Sequence, residues 1–249
     1  MCVYCQRVVE EWSSSTPELP SLNSNDKLLQ MMIATTFDHA HAVKQTDSFD
    51  PKFLQGKSVV ITGAASGIGE ACMRSFVSAG AFVTFGDIAE DRGHALVSEL
   101  GQDKVAFVKC DTRVWEDQAS LFKTASDKSP SRGIDIVLAN AGISGWDSVF
   151  NDQSDPTTGE PVKPDLTILE TNLVGVMYTT KLALHYFSRQ PEGPDRDRCL
   201  IVTSSIAGYA DHNGAPQYAA AKFGVRGMMR SLRQVLPKQN ARVNIISPW

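Results

Sequence analysis

Thr62-Gly-Ala-Ala-Ser-Gly-Ile-Gly69 follows a short apolar run, residues 58–62, and leads into a longer amphipathic stretch. Its glycines at 63, 67 and 69 follow neither the G-x-G-x-x-G spacing nor the P-loop pattern, since no Gly-Lys-Ser/Thr comes after them. The physics of those loops still applies. Glycines let the backbone approach a pyrophosphate closely, and a helix start offers unpaired N–H groups at the positive end of its dipole. The stretch reads as a strand-to-helix turn, either a nucleotide cradle or a tight connection.

The same alternation continues outward from this turn. Apolar runs at 58–62, 81–87, 105–110, 134–140, 200–204 and 242–246 read as buried strands, and the segments between them as helices. Repeated strand, helix, strand order implies right-handed crossovers and a doubly wound, mostly parallel α/β sheet of Rossmann type. Its ligand crevice belongs at the carboxyl ends of the strands.

Size and charge limit the function classes. A chain of 249 residues, 42% hydrophobic, can bury one sizeable core. A net charge of −4 without a Lys/Arg cluster argues against a nucleic-acid partner and favours small-molecule chemistry. No apolar run is long enough to span a membrane, and residues 1–12 lack an apolar signal core, so a cytoplasmic protein is expected. Cys72, Cys110 and Cys199 lie in apolar runs as free thiols. Cys2 and Cys5 have C-x-x-C spacing without a second pair, so no metal site is expected.

Residues 1–50 do not share the alternation and read as an irregular N-terminal extension, in which only residues 26–37 have a pattern that a short helix could adopt; residues 51–249 read as one α/β domain, expected to bind a nucleotide. A second irregular stretch, 145–164, contains three prolines and follows a strand end, where active-site loops belong. It is expected to border a substrate, with Trp146, Phe150 and Tyr209 as candidates to line an apolar pocket.

Asp87 ends the second strand eighteen residues after Gly69, where a carboxylate can accept both hydroxyls of an adenosine ribose and repel a 2′-phosphate; it could equally cap a helix. The nearest cation beyond it is Arg92, so NAD is expected rather than NADP. Tyr218 and Lys222, four residues apart, share one helix face. A phenol with an unperturbed pKa of about 10 is a poor base at neutral pH, and a nearby ammonium favours its ionised form.

With these residues in order, the chain resembles the classical short-chain dehydrogenase/reductase family from about residue 56 onward. Thr62 to Gly69 matches TGxxxGxG, Asn140-Ala-Gly142 matches the NAG element, and Ser205, thirteen residues before Tyr218, matches the catalytic Ser. Residues 172–189 and the Ser-Ser-Ile-Ala-Gly segment also resemble the 15-hydroxyprostaglandin dehydrogenase branch. The resemblance implies a catalytic set of Asn172, Ser205, Tyr218 and Lys222. It implies cofactor contacts from Gly63, Ser66, Gly67, Ile68 and Gly69, from Asp87 and Ile88, and from Asp111 and Thr112. Asn140, Ala141 and Gly142 complete these, with Tyr218 and Lys222 on the nicotinamide side.

The implied reaction is NAD-dependent hydride transfer between a secondary alcohol and its ketone, with Tyr218 as general base. An NADP-linked ketoreductase and a catalytically weak nucleotide-binding protein remain as alternatives. The family also implies a further substrate segment and a seventh strand, so the sequence reads as truncated after the sixth strand. A homo-oligomer is expected through the helix of residues 217–236.

Overall fold

The computed structural model describes residues 51–150, 152–190, 198–210 and 212–248, so the 26–37 helix and the Cys2/Cys5 pair lie outside the described residues. Strands β1 (Ser58–Thr62), β2 (Phe82–Asp87), β3 (Val105–Lys109), β4 (Ile136–Ala139), β5 (Arg198–Thr203) and β6 (Ala241–Ile246) form one sheet. Every strand pairing in it is parallel, and the order is β3-β2-β1-β4-β5-β6. From β1 the chain winds out to β3, then returns to lay β4 on the other side of β1. That reversal opens a crevice between the carboxyl ends of β1 and β4.

β1 shows why the sheet is covered on both faces. Its five residues are all buried, and successive side chains point to opposite sides. Val59 and Ile61 pack with Met73 of α1 (Gly67–Ser78) and Leu96 of α2 (Glu90–Leu100). Val60 packs with Leu121 and Phe122 of α3 (Trp115–Lys128) and Phe187 of a later helix. A strand buried on both faces shows a continuous apolar run rather than alternation, as residues 58–62 do.

That later helix begins as α4 (Thr167–Leu169), widens into a π-helical turn (Glu170–Val174) and resumes as α5 (Gly175–Phe187). Such π turns occur frequently at functional sites. α6 (Pro216–Leu232) carries Tyr218 and Lys222. It stops short of the expected residue 236, and Leu236–Gln239 forms a separate 3-10 turn. Pro237 explains the break, because it lacks an N–H and crowds the preceding turn.

Candidate active site

A cleft of about 570 Å³ lies over the carboxyl ends of the strands. Of the residues that the resemblance implied for catalysis and cofactor contact, all line it except Gly69 and Asn172.

The glycine turn forms one wall. Gly63 has φ +68°, and a Cβ there would lie 2.7 Å from Ala141 Cα, so only glycine allows the β1 and β4 ends to meet. Gly69 packs inward, where a Cβ would meet the Gly63 carbonyl oxygen at 2.1 Å, which explains its absence from the cleft. Gly67, with φ +57°, has open space where a Cβ would stand. Ser66 is the N-cap of α1 but makes no side-chain capping bond, leaving the first-turn N–H groups to the cleft.

Asp87 does not cap α2, whose N-cap is Ala89. Its Oδ2 accepts a bond from Ala65 N at 2.9 Å and its Oδ1 from Ala89 N at 3.0 Å, tying the carboxylate to the glycine turn. A carboxylate has about four lone-pair sites, so acceptor capacity remains. Arg92 is held elsewhere, with Nη2 2.8 Å from Glu70 Oε1. Arg74 and then Arg92 hold the Glu70 carboxyl below its usual range.

On the far side, Asp111 is gripped by Arg113. Nε donates to both carboxylate oxygens at 3.0 and 3.1 Å, and Nη2 to Oδ2 at 2.6 Å. This pairing lowers the Asp111 carboxyl below its usual value. Sequence reasoning did not anticipate Arg113 in the cleft; its position two residues after Asp111 was the available signal. Thr112 is buried, and its carbonyl accepts from Gln118 Nε2, which also reaches the Gly175 carbonyl. Cys110 lines the cleft with a thiol that burial pushes up to about 12, too high for a reactive thiolate at neutral pH.

The central sheet supplies the rest. Asn140 Nδ2 donates to the carbonyls of Gly63 at 2.9 Å and Thr62 at 3.2 Å, locking β4 to the glycine turn. Asn172, fully buried on the π turn, accepts from Ile143 N at 2.8 Å and donates to Ile143 O at 2.7 Å. Its side chain is occupied by backbone and does not face the cleft. A Cβ on Gly142 would lie 3.1 Å from Asn172 Oδ1 and 3.7 Å from Lys222 Nζ, so these three residues meet.

Ser205 Oγ accepts from Ala207 N at 3.2 Å, capping a 3-10 turn (Ile206–Gly208) at the cleft. Ser204 Oγ donates to the Lys222 carbonyl at 3.1 Å, joining that turn to α6. Lys222 Nζ stands 5.4 Å from the centroid of the Tyr218 ring and donates to the Thr203 carbonyl at 3.1 Å. The side chain is 3% exposed, and among the described residues it has no carboxylate partner. Burial pushes its amine down to about 8.

Two of the three expected wall residues do not belong to this cleft, and the side chain of the third, Phe150, lies outside the described residues. Trp146 is 82% exposed and Tyr209 44% exposed, and neither lines it. Arg226 instead sits 4.1 Å from the Tyr209 ring centroid, drawing that ring toward α6. Among the described residues no helix is long and apolar enough to cross a membrane, and no cluster of three potential metal ligands occurs.

Comparison with known proteins agrees with this geometry. A profile of the family described as short chain dehydrogenase matches residues 57–249. The chain belongs to the short-chain dehydrogenase family. It is 37% identical over 206 residues to a 5′-hydroxyaverantin dehydrogenase of Dothistroma septosporum, covering 79% of this chain and 67% of that one. A 5′-hydroxyaverantin dehydrogenase of Emericella nidulans is 36% identical over 211 residues, with the same coverage. Tropinone reductase-like 1 of Erythroxylum coca is 37% identical over 204 residues, covering 80% of this chain and 68% of its own length. The chain thus spans about two thirds of the length of these relatives.

This short-chain dehydrogenase is an oxidoreductase, and the family uses a nicotinamide dinucleotide. Its residues fit one. The uncapped start of α1 suits a pyrophosphate, the open face of Gly67 leaves room for it, and Asp87 has acceptor capacity for ribose hydroxyls. Lys222 uses one of its three ammonium donors on protein.

Proposed function

We propose that the chain is an NAD-dependent oxidoreductase for a secondary alcohol or its ketone, with Tyr218 as the proton-transfer group. Lys222 carries this reading. A buried cation without a counter-charge is unfavourable, so its placement 5.4 Å from a phenol ring in the cleft calls for a reason beyond stability. Negative charge on the Tyr218 oxygen and the hydroxyls of a ribose together supply one.

Within this reading, Ser205 donates its hydroxyl hydrogen to the substrate oxygen and holds it for Tyr218. Tyr218 removes the alcohol proton, or returns it in the reverse direction. Lys222 stabilises the Tyr218 oxygen in the state that lacks the proton, before uptake in oxidation and after donation in reduction, and turns its remaining N–H donors to the nicotinamide ribose. Asn172 supports the site through Ile143 and Gly142. Bound in the cleft, the nicotinamide supplies the two-electron chemistry by accepting or returning hydride.

Two features favour NAD over NADP. Asp87 would repel a 2′-phosphate, and Arg92 is committed to Glu70. Titrating the protein with each cofactor should show at least tenfold tighter binding of NAD, and Asp87→Ala should narrow that gap. Cofactor reduction should then follow with secondary alcohols; equal affinity for both cofactors, or no reduction across a broad alcohol panel, would refute the proposal.

A further inference from the structure

Between residues 142 and 149 only Asp147 is buried, and the run from 152 to 166 is exposed throughout. A carboxylate sunk alone into an exposed loop needs strong partners, and Asp147 finds them on α6. Its Oδ2 accepts from Gln217 N at 2.7 Å, and its Oδ1 from Gln217 Nε2 at 2.9 Å and Val149 N at 3.1 Å. The Gln217 amide also donates to the Asp165 carbonyl at 2.8 Å, and Ser148 Oγ accepts from Asp165 N at 2.9 Å. Gln217 thereby joins both ends of the 148–165 loop. The residue after it is Tyr218.

Two local details give this contact its purpose. α6 has Ala215 as N-cap, with no side-chain capping bond, and Pro216 next, which has no N–H to give. Asp147 therefore caps the helix from seventy residues away, with its negative charge at the positive dipole end. The Gln217 amide, turned to donate twice, leaves its own Oε1 buried without a partner among the described residues. Such an orphaned acceptor is costly and rare, so the orientation is held against a penalty. Burial works to raise the Asp147 carboxyl, but the bonds from Gln217 and Val149 together outweigh it and hold the group below its usual range.

We propose that Asp147 is a positioning residue, which acts through Gln217 to fix the first turn of α6, and with it Tyr218, against the base of the 148–165 loop. The proposal rests on Tyr218 as the proton-transfer group. The two ends of the loop and the placement of the phenol then share one anchor point. In Asp147→Asn the amide turns a donor toward Gln217 Nε2 or toward its backbone N–H, and the clasp opens.

The full chain and its Asp147→Asn, Gln217→Ala, double and Tyr218→Phe variants should be compared on one secondary alcohol. Asp147→Asn should lower kcat by about 10- to 100-fold while the NAD Kd stays within about twofold, and the double variant should lose no more than the worse single. Amide exchange across residues 152–165, a readout that needs no turnover, should quicken at least tenfold in Asp147→Asn. Unchanged exchange, a kcat within twofold of the parent, or a loss that only tracks NAD affinity and melting would overturn the proposal. If Tyr218→Phe retains turnover, the assignment of Tyr218 fails instead, whatever Asp147→Asn shows.

Discussion

At the residue scale, Lys222 combines a cost with a use. Its amine is pushed by burial from its ordinary 10.5 down to about 8. Below pH 8 it is charged in both folded and unfolded chains, and its penalty is constant. Between pH 8 and 10.5 the unfolded chain holds the proton more tightly, so stability should rise with pH across that window. Lys222→Met should accordingly stabilise the cofactor-free protein at pH 7 by about 1–3 kcal/mol while abolishing turnover. Urea unfolding of the two proteins checks the first part and steady-state kinetics the second. The activity of the parent should also decline above pH 8 as the ammonium loses its proton. This residue was legible in the sequence because helical spacing placed it beside Tyr218. Its isolation from any carboxylate among the described residues was not, since that depends on what the fold brings near.

At the element scale, the turn between β1 and α1 separates folding from binding within a few residues. A Cβ on Gly69 would strike the Gly63 carbonyl at 2.1 Å, so α1 would have to move from β1. Gly69→Ala should cost roughly 2–4 kcal/mol in urea unfolding, as overpacking against fixed backbone does. Gly67 presents its missing Cβ to open space, so Gly67→Ala should cost only about 1 kcal/mol of backbone strain and instead weaken NAD binding at least tenfold. The strands were legible to within about two residues because parallel strands buried on both faces show unbroken apolar runs. The glycine turn was legible for a similar reason, as its residues are contiguous. The links between Asp147 and Gln217, and between Arg92 and Glu70, join distant segments without any periodic signal. The placement of Trp146 and Tyr209 outside the cleft likewise depends on loop paths that composition does not encode.

At the scale of the whole molecule, the fold brings two half-sites together at the reversal between β1 and β4. One half, built from the glycine turn and Asp87, fits the adenosine end of the cofactor; the other, built from Ser205, Tyr218 and Lys222, suits proton transfer. Binding to the folded chain alone should raise stability by about 2.7 kcal/mol at a hundred times the Kd, so NAD should raise the melting temperature. NADP at equal concentration should raise it less. If the halves perform separate tasks, one oxygen atom can be removed from the second without disturbing the first. Cofactor binding and alcohol turnover measured together on Tyr218→Phe provide the direct test. The account predicts an NAD Kd within about twofold of the parent and a kcat lower by roughly a thousandfold or more; turnover near that of the parent would contradict it.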